Sequence, residues 1–237
     1  MSSVAGEVDR FGDLRIRETP KTLRALALDR VRSAILELRF QPGERLTERD
    51  LCAQLGVSRS VVREVIRHLE TEGLIQNVPF HGPVVASLDP DQVQQIYEIR
   101  SQLESTAAAA CAQLATAADK AALAEALQLI DEAYAAEDFR AVLAATNRFY
   151  EIMFESGRKT VAWEMVQRLN GRISRLRAMT VSSPNRRRAG MAQMRKILAA
   201  INKGDAAAAE KSCQEHVANA AALALELLQQ QQPGKTS

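Results

Sequence analysis

Apolar residues recur at helical spacing along most of the chain, and the interruptions crowd into its first ninety residues. From Lys21 to Leu38, Leu23, Leu26, Ala27, Val31, Ala34, Ile35 and Leu38 fall on one face, which predicts a helix ended by the turn "QPGE". Thr47 then suits an N-cap, with Asp50 in the first turn against the positive helix end, and Leu51 and Leu55 continue a short apolar face. Gly56 stops this helix at a position suited to a left-handed cap. Ser58 or Ser60 caps a further helix to about Glu72, with Val61, Val62, Val65, Ile66 and Leu69 inward and Gly73 closing it. Two short helices joined by a glycine turn read as a helix-turn-helix. Alternation then replaces helical spacing. Strands are predicted at Leu74–Val78 and Val84–Leu88, joined by a tip of Phe80, His81 and Gly82 with prolines on both sides, which suits an edge hairpin. A hairpin directly after the second helix is a wing.

Beyond Pro90 only Pro184 and Pro233 remain of the seven prolines, and long helical patterns take over. Helices are predicted at Asp91–Ala115, Ala118–Ala136, Phe139–Ser156, Thr160–Thr180, Asn185–Ile201 and Ala206–Gln230. In the first of them Val93, Ile96, Ile99, Leu103 and Ala107 share a face. Gly171 falls inside a helical pattern, as at a kink or a close approach. The expected organisation is a flexible tail over 1–20, a winged helix-turn-helix over 21–88 and an all-helical unit over 89–232. The glutamine-rich end is expected to fray.

Composition narrows the classes. A chain of 237 residues that is 46% hydrophobic can bury a real core, and a net charge of +2 gives no polyanion-binding character by itself. Any nucleic-acid surface has to be a local concentration of charge. Cys52, Cys111 and Cys213 stand far apart, with no C-x-x-C spacing, and read as reduced thiols. No apolar run approaches the roughly 20 residues of a membrane span, and the N-terminus lacks a signal-type apolar core. A cytoplasmic protein without a membrane partner is expected.

One element concentrates charge. Arg59, Arg63 and Arg67 drift only about 40° per step at 3.6 residues per turn, so they share the face opposite the valines. Such a stripe is the solvated side of an ordinary helix or a working surface. Two features favour the second reading: Glu64 is the only acid between Ser58 and Leu69, and the helix lies between a glycine turn and a hairpin, where a recognition helix belongs. There an arginine forks onto guanine O6 and N7 in the major groove, while serines and helix N-terminal amides grip phosphates.

The stretch "LRFQPGERLTERDLCAQLGVSRSVVREVIRHLETEGLI", with "HGPVV" after it, closely resembles the DNA-binding domain of GntR-type bacterial repressors. The resemblance implies DNA contacts by Arg49, Arg59 and Arg63, helped by Ser58, Ser60 and the wing tip His81-Gly82. Arg67 has no counterpart there. The helical half resembles the all-helical effector (FCD) domain of the FadR-type subfamily through "IYEIRSQLES", "NRFYEIMFESG" and "ILAAINKGDAAAAEKSCQEHV". The implied fold is mainly α: a winged helix-turn-helix, then an antiparallel all-α effector-binding bundle that also carries a homodimer contact.

Many members of that subfamily hold a divalent metal with one Asp and three His. Motif by motif these positions fall here on Thr146, Tyr150, Met194 and His216. A hydroxyl, a phenol and a soft thioether with one imidazole do not make a carboxylate–histidine site. No metal and no other cofactor is expected. The polar residues at that place, with Arg100 and Arg172, are instead candidates for a small organic effector such as a carboxylate or acyl compound. Arg175 is a further contributor. The plainer alternative pairs Arg100 with Glu104 one turn on and leaves His216 a satisfied core histidine.

No Gly-rich phosphate loop, G-x-S-x-G or H-E-x-x-H is present, and His68, His81 and His216 lie in separate elements, so an enzyme is not expected. The expected function is that of a transcriptional regulator that binds a double-stranded DNA operator with effector-modulated affinity. The competing reading is a winged protein-interaction module without specific DNA binding.

Overall fold

A computed structural model describes residues 22–181 and 183–231, except for the side chains of 184–186 and 231. The expected tail over 1–20 and the final residues, 232–237, lie outside the described residues. The first helix, α1, spans Leu23–Leu36, with Thr22 as N-cap accepting from the Ala25 amide. Its buried face is Ala27, Val31 and Ile35, one turn apart. Leu23 and Leu26 stay largely exposed, and Leu38 has left the helix with φ 57°. The predicted apolar face is thus longer than the core it covers.

Helix α2 is Glu48–Leu55, capped by Thr47 and stopped by Gly56 at φ 66°. Helix α3 is Arg59–Thr71. Ser58, not Ser60, is its N-cap, and Val62, Val65, Ile66 and Leu69 are buried beneath it. Strands β1 (Ile75–Val78) and β2 (Gly82–Val85) pair antiparallel from Val78↔Gly82 to Ile75↔Val85. The second strand thus begins and ends earlier than predicted. The reason is the turn: a three-residue tip fixes Gly82 opposite Val78, and β1 is used up at Ile75. Ala86 still donates to the Leu74 carbonyl, after which the chain turns towards the next helix. A third segment braces the outer side of β2, through an Arg45↔Val84 bridge and the Leu46 amide bonded to the Pro83 carbonyl. Leu46, Leu51, Leu69, Leu74 and Val85 close this small core with the inner face of α1.

The helical half comprises α4 (Pro90–Leu114), α5 (Ala117–Ala135), α6 (Phe139–Ser156), α7 (Thr160–Arg168), α8 (Asn170–Val181), α9 (Pro184–Lys203) and α10 (Ala206–Gln231). Helix α10 lies along α4 and α9, and α5 along α6. Asp89 caps α4 with proline at its first position, and Thr116 and Asp119 form a reciprocal capping box on α5. The single helix expected over Thr160–Thr180 is two. The Leu169 amide bonds only three residues back, to Val166, so the helix tightens and restarts at Asn170. The inward stripe of α4 also differs from the prediction: Ile99 is 45% exposed, while Tyr97, Arg100 and Glu104 are buried. Positions 93, 97, 100, 104, 107 and 111 follow the helical period more closely than a stripe through 99 and 103, so two charges occupy core positions.

Candidate nucleic-acid interface and ligand cavity

On the winged half, the first residue of α2 reaches the second turn of α3. Arg63 Nε donates to Glu48 Oε1 at 2.8 Å, and Glu48 opens α2. That hydrogen bond, with the charge of nearby Arg59, holds the Glu48 carboxyl below its usual range. Arg59 and Arg63 therefore converge on the first turn of α2, beside Arg49, whose side chain is 86% exposed and pairs with Asp50 at 3.3 Å. The first acid of α3, Glu64, turns away and pairs with Arg24 of α1 at 3.0 Å. Glu70 shares the arginine face by helical phase, but the carboxylate that pairs with Arg63 comes from a different helix, where spacing within α3 gives no sign of it. Exposed pairs of this kind are weak and open readily to a better partner.

Ser58 and Ser60 sit hydroxyl to hydroxyl at 2.8 Å, at the end of α3 where unbonded amides and the helix dipole favour an anion. Arg67 is exposed on the same helix. The wing tip is a tight turn in which the His81 amide donates to the Val78 carbonyl at 3.0 Å. Gly82 follows with φ 80° and nothing near its missing side chain. His81 is exposed and leans back towards the Pro79 carbonyl.

The helical half encloses a cavity of about 40 Å³ whose polar lining is Tyr97 and Arg100 from α4, Tyr134 from α5, Thr146 from α6, Arg177 and Thr180 from α8, and His216 from α10. Met194 of α9 completes the wall. Arg100 and Glu104 form a two-pronged ion pair, at 2.7 and 3.3 Å, with exposures of 2% and 0%. The pairing expected as the plainer alternative is present, yet it leaves Arg100 Nη1 with no hydrogen-bond partner, and the buried Tyr150 hydroxyl has none either. The Arg177 guanidinium lies over the Tyr150 ring, 4.7 Å from its centre. Burial and then the neighbouring Arg100 charge push the Arg177 pKa down. Burial, reinforced by Glu104, pushes the Tyr150 phenol up. His216 Nδ1 lies 3.0 Å from Gln193 Oε1, so that interaction is satisfied as a core histidine's would be.

Of the sequence candidates, Arg100, Met194 and His216 line this cavity, and Tyr150 joins it through Arg177. Arg172 does not. It lies against Gly73, where a β-carbon would come within 2.3 Å of its Nε, and Arg175 donates to the Ala86 carbonyl. Arg177 was missed. Its signal was helical phase: it sits four residues after Ile173 and three before Thr180, both buried, whereas Arg172 and Arg175 share another side of α8. Among the described residues no three His, Cys, Asp or Glu side chains come together as a metal site. Thr146, Tyr150, Met194 and one histidine remain a donor set that does not suit the divalent ion of the resemblance.

The same α8 rests on the end of α3. A β-carbon on Gly171 would lie 2.4 Å from the Glu72 carbonyl oxygen, so backbone meets backbone there. Glu72 is in turn held by Arg32 at 2.5 and 2.9 Å. One side of this helix faces the cavity and another touches the residues that end the arginine helix.

Residues 24–85 match the family described as bacterial regulatory proteins, gntR family, and residues 95–219 match the FCD domain. An uncharacterised HTH-type transcriptional regulator of Agrobacterium vitis is 31% identical over 58% of this chain and 90% of its own length. The transcriptional repressor RspR of Escherichia coli is 25% identical over 79% of this chain and 82% of that one. Among solved structures, a putative GntR transcriptional regulator from Rhodococcus superposes with a TM-score of 0.73 at 26% identity, covering 86% of this chain and 97% of the other. Escherichia coli McbR/YncC has the same fold at a TM-score of 0.73 and 22% identity, covering 89% of this chain and 99% of the other. No described helix is long and apolar enough to cross a membrane.

Proposed function

Since the chain belongs to the gntR family of bacterial regulatory proteins and carries an FCD domain, we propose that it is a transcriptional regulator whose operator affinity is set by a small organic anion bound in its helical half. DNA is its partner by family. Arg59 and Arg63 are the base readers, Arg49, Ser58 and Ser60 the phosphate contacts, and His81 and Gly82 the wing contact. The observation that supports this is that Arg63, with Arg59 nearby, sits at Glu48 on the first turn of α2, on an exposed face whose helix start carries the paired hydroxyls of Ser58 and Ser60. Two copies, joined through the helical halves, would read a near-palindromic site with half-sites about one helical turn apart or less.

The anion follows from the charge inside the cavity. Arg100 and Arg177 bring two guanidiniums to one carboxylate, Glu104, and Arg100 Nη1 and the Tyr150 hydroxyl remain as unused donors. A carboxylate answers both the surplus charge and the spare donors. With about 40 Å³ the cavity has room for a few waters only, well below the usual size of ligand pockets. A carboxylate or acyl compound must therefore move a wall, and α8 supplies the wall that also touches Glu72 and Gly73. A ligand that fits only the opened arrangement shifts the population towards it, and the ends of α3 with it.

Mobility shift with fragments from upstream of bacterial operons, including that of the protein's own gene, tests the function. Retardation of particular fragments at moderate salt, altered by one of a panel of small carboxylates, is the expected result. A protein that retards no fragment even at low salt, with or without those carboxylates, contradicts it.

A further inference from the structure

Resting on that DNA-binding role, we infer that Phe80 is an apolar wedge of the wing, which enters the minor groove of the operator and loosens a base step there. Phe80 is the most exposed large apolar side chain among the described residues, at 104% of its reference area. It is also in the wrong place for folding. Pro79, Phe80 and the His81-to-Val78 hydrogen bond make a turn with Phe80 in its second central position at φ 65°, a left-handed backbone that glycine or asparagine adopts without strain and an aromatic residue does not. An aromatic ring held wholly in solvent, on a backbone it disfavours, gives the fold nothing.

Its mounting is rigid. The two strands pair up to the tip, Pro79 and Pro83 flank it, and the Arg45 segment braces the outer side through hydrogen bonds from Leu46 to Pro83 and from Gly43 to Val85. The tip therefore presents Phe80 as a fixed prong, with His81 beside it and Gly82 leaving space for a backbone to approach. Apolar side chains that enter the minor groove part neighbouring bases and bend the duplex, most easily at pyrimidine–purine steps. The rule predicts a role in sequence choice without hydrogen bonds: the operator should carry a flexible step, TA or CA/TG, at the wing position of each half-site.

The test exploits the conflict between turn and ring. Phe80→Gly suits the turn better and removes no internal contact, so the full-length variant is expected to melt at the wild-type temperature or above it. A duplex is first selected from a random pool by the wild-type protein, then synthesised with 2-aminopurine at the flexible step. Wild type should raise the 2-aminopurine fluorescence on binding. Phe80→Gly should bind about tenfold more weakly without that rise, and Phe80→Trp should keep it. If Phe80→Gly binds and raises the fluorescence as wild type does, or if wild type binds tightly with no rise, the wedge is wrong. Failure of wild type to select any duplex would instead count against the regulator reading itself, so the two failures are distinct.

Discussion

Tyr150 illustrates how single residues report on the cavity. Its hydroxyl is buried without a partner, which ordinarily costs about 1–3 kcal/mol. Tyr150→Phe should therefore leave the ligand-free protein as stable as wild type or more so by about 1 kcal/mol, while weakening the thermal shift given by a carboxylate ligand. A drop in melting temperature without ligand would mean that the hydroxyl is structurally engaged. The thiols divide in a related way. Burial pushes the Cys111 thiol up to about 11 and the Cys213 thiol well above its ordinary value, whereas Cys52 is partly exposed. A raised thiol pKa means less thiolate at any pH below it, so at pH 8 iodoacetamide should label Cys52 in the folded protein and the other two only after unfolding. Comparable labelling of Cys213 by mass spectrometry would show that the bundle opens easily. The arginines show where local pattern stops being informative. The stripe on α3 could be read from spacing, but the Glu48 partner of Arg63 lies fifteen residues earlier on another helix, and only the crossing of α2 and α3 brings them together. Likewise three arginines in the stretch 172–177 look equivalent in sequence, yet the phase of α8 sends Arg177 to the cavity and Arg172 to the winged half.

At the scale of elements, most boundaries were legible because caps are written in short sequences. Thr47, Gly56, Ser58, Asp89 and Thr116 each sit at the helix end their chemistry favours. Two elements were not legible, for reasons that are tertiary. The start of β2 is set by the tightness of the wing turn, and the break between α7 and α8 carries no proline; its nearest sign, Gly171, is explained by what lies against it. Gly171 therefore gives a sharp test. Alanine replacing a helical glycine normally stabilises, by up to about 1 kcal/mol. Here the added β-carbon would meet the Glu72 carbonyl at 2.4 Å, so Gly171→Ala should instead destabilise by about 1–3 kcal/mol or push the winged half away from α8. Thermal melts with small-angle scattering would register either. An alanine variant that is more stable, with unchanged dimensions, would show that α8 does not bear on the end of α3.

In the whole molecule, two apolar cores of different character are joined through α8 and the contacts of Arg140 with Ser33 and Glu37. The overall arrangement was legible in the sequence because texture changes at residues 87–92, where proline-rich punctuation gives way to long helices. What was not legible is which parts meet: Gly171 read as a place of close approach, but nothing in its own element points to Glu72, and Gly73 and Arg175 carry no sign of the partners they meet. The molecule as a whole is best tested through its DNA face. Fluorescence anisotropy with a duplex selected by the wild-type protein, titrated at two salt concentrations, separates base reading from charge. Arg63→Ala should weaken binding to that duplex about ten- to a hundredfold and bring it close to the affinity for a scrambled one, while Arg67→Ala should keep the preference and at most reduce the salt dependence. Equal losses for the two variants on both duplexes, or an Arg63→Ala protein that still prefers the selected sequence as strongly as wild type, would contradict the recognition surface described above.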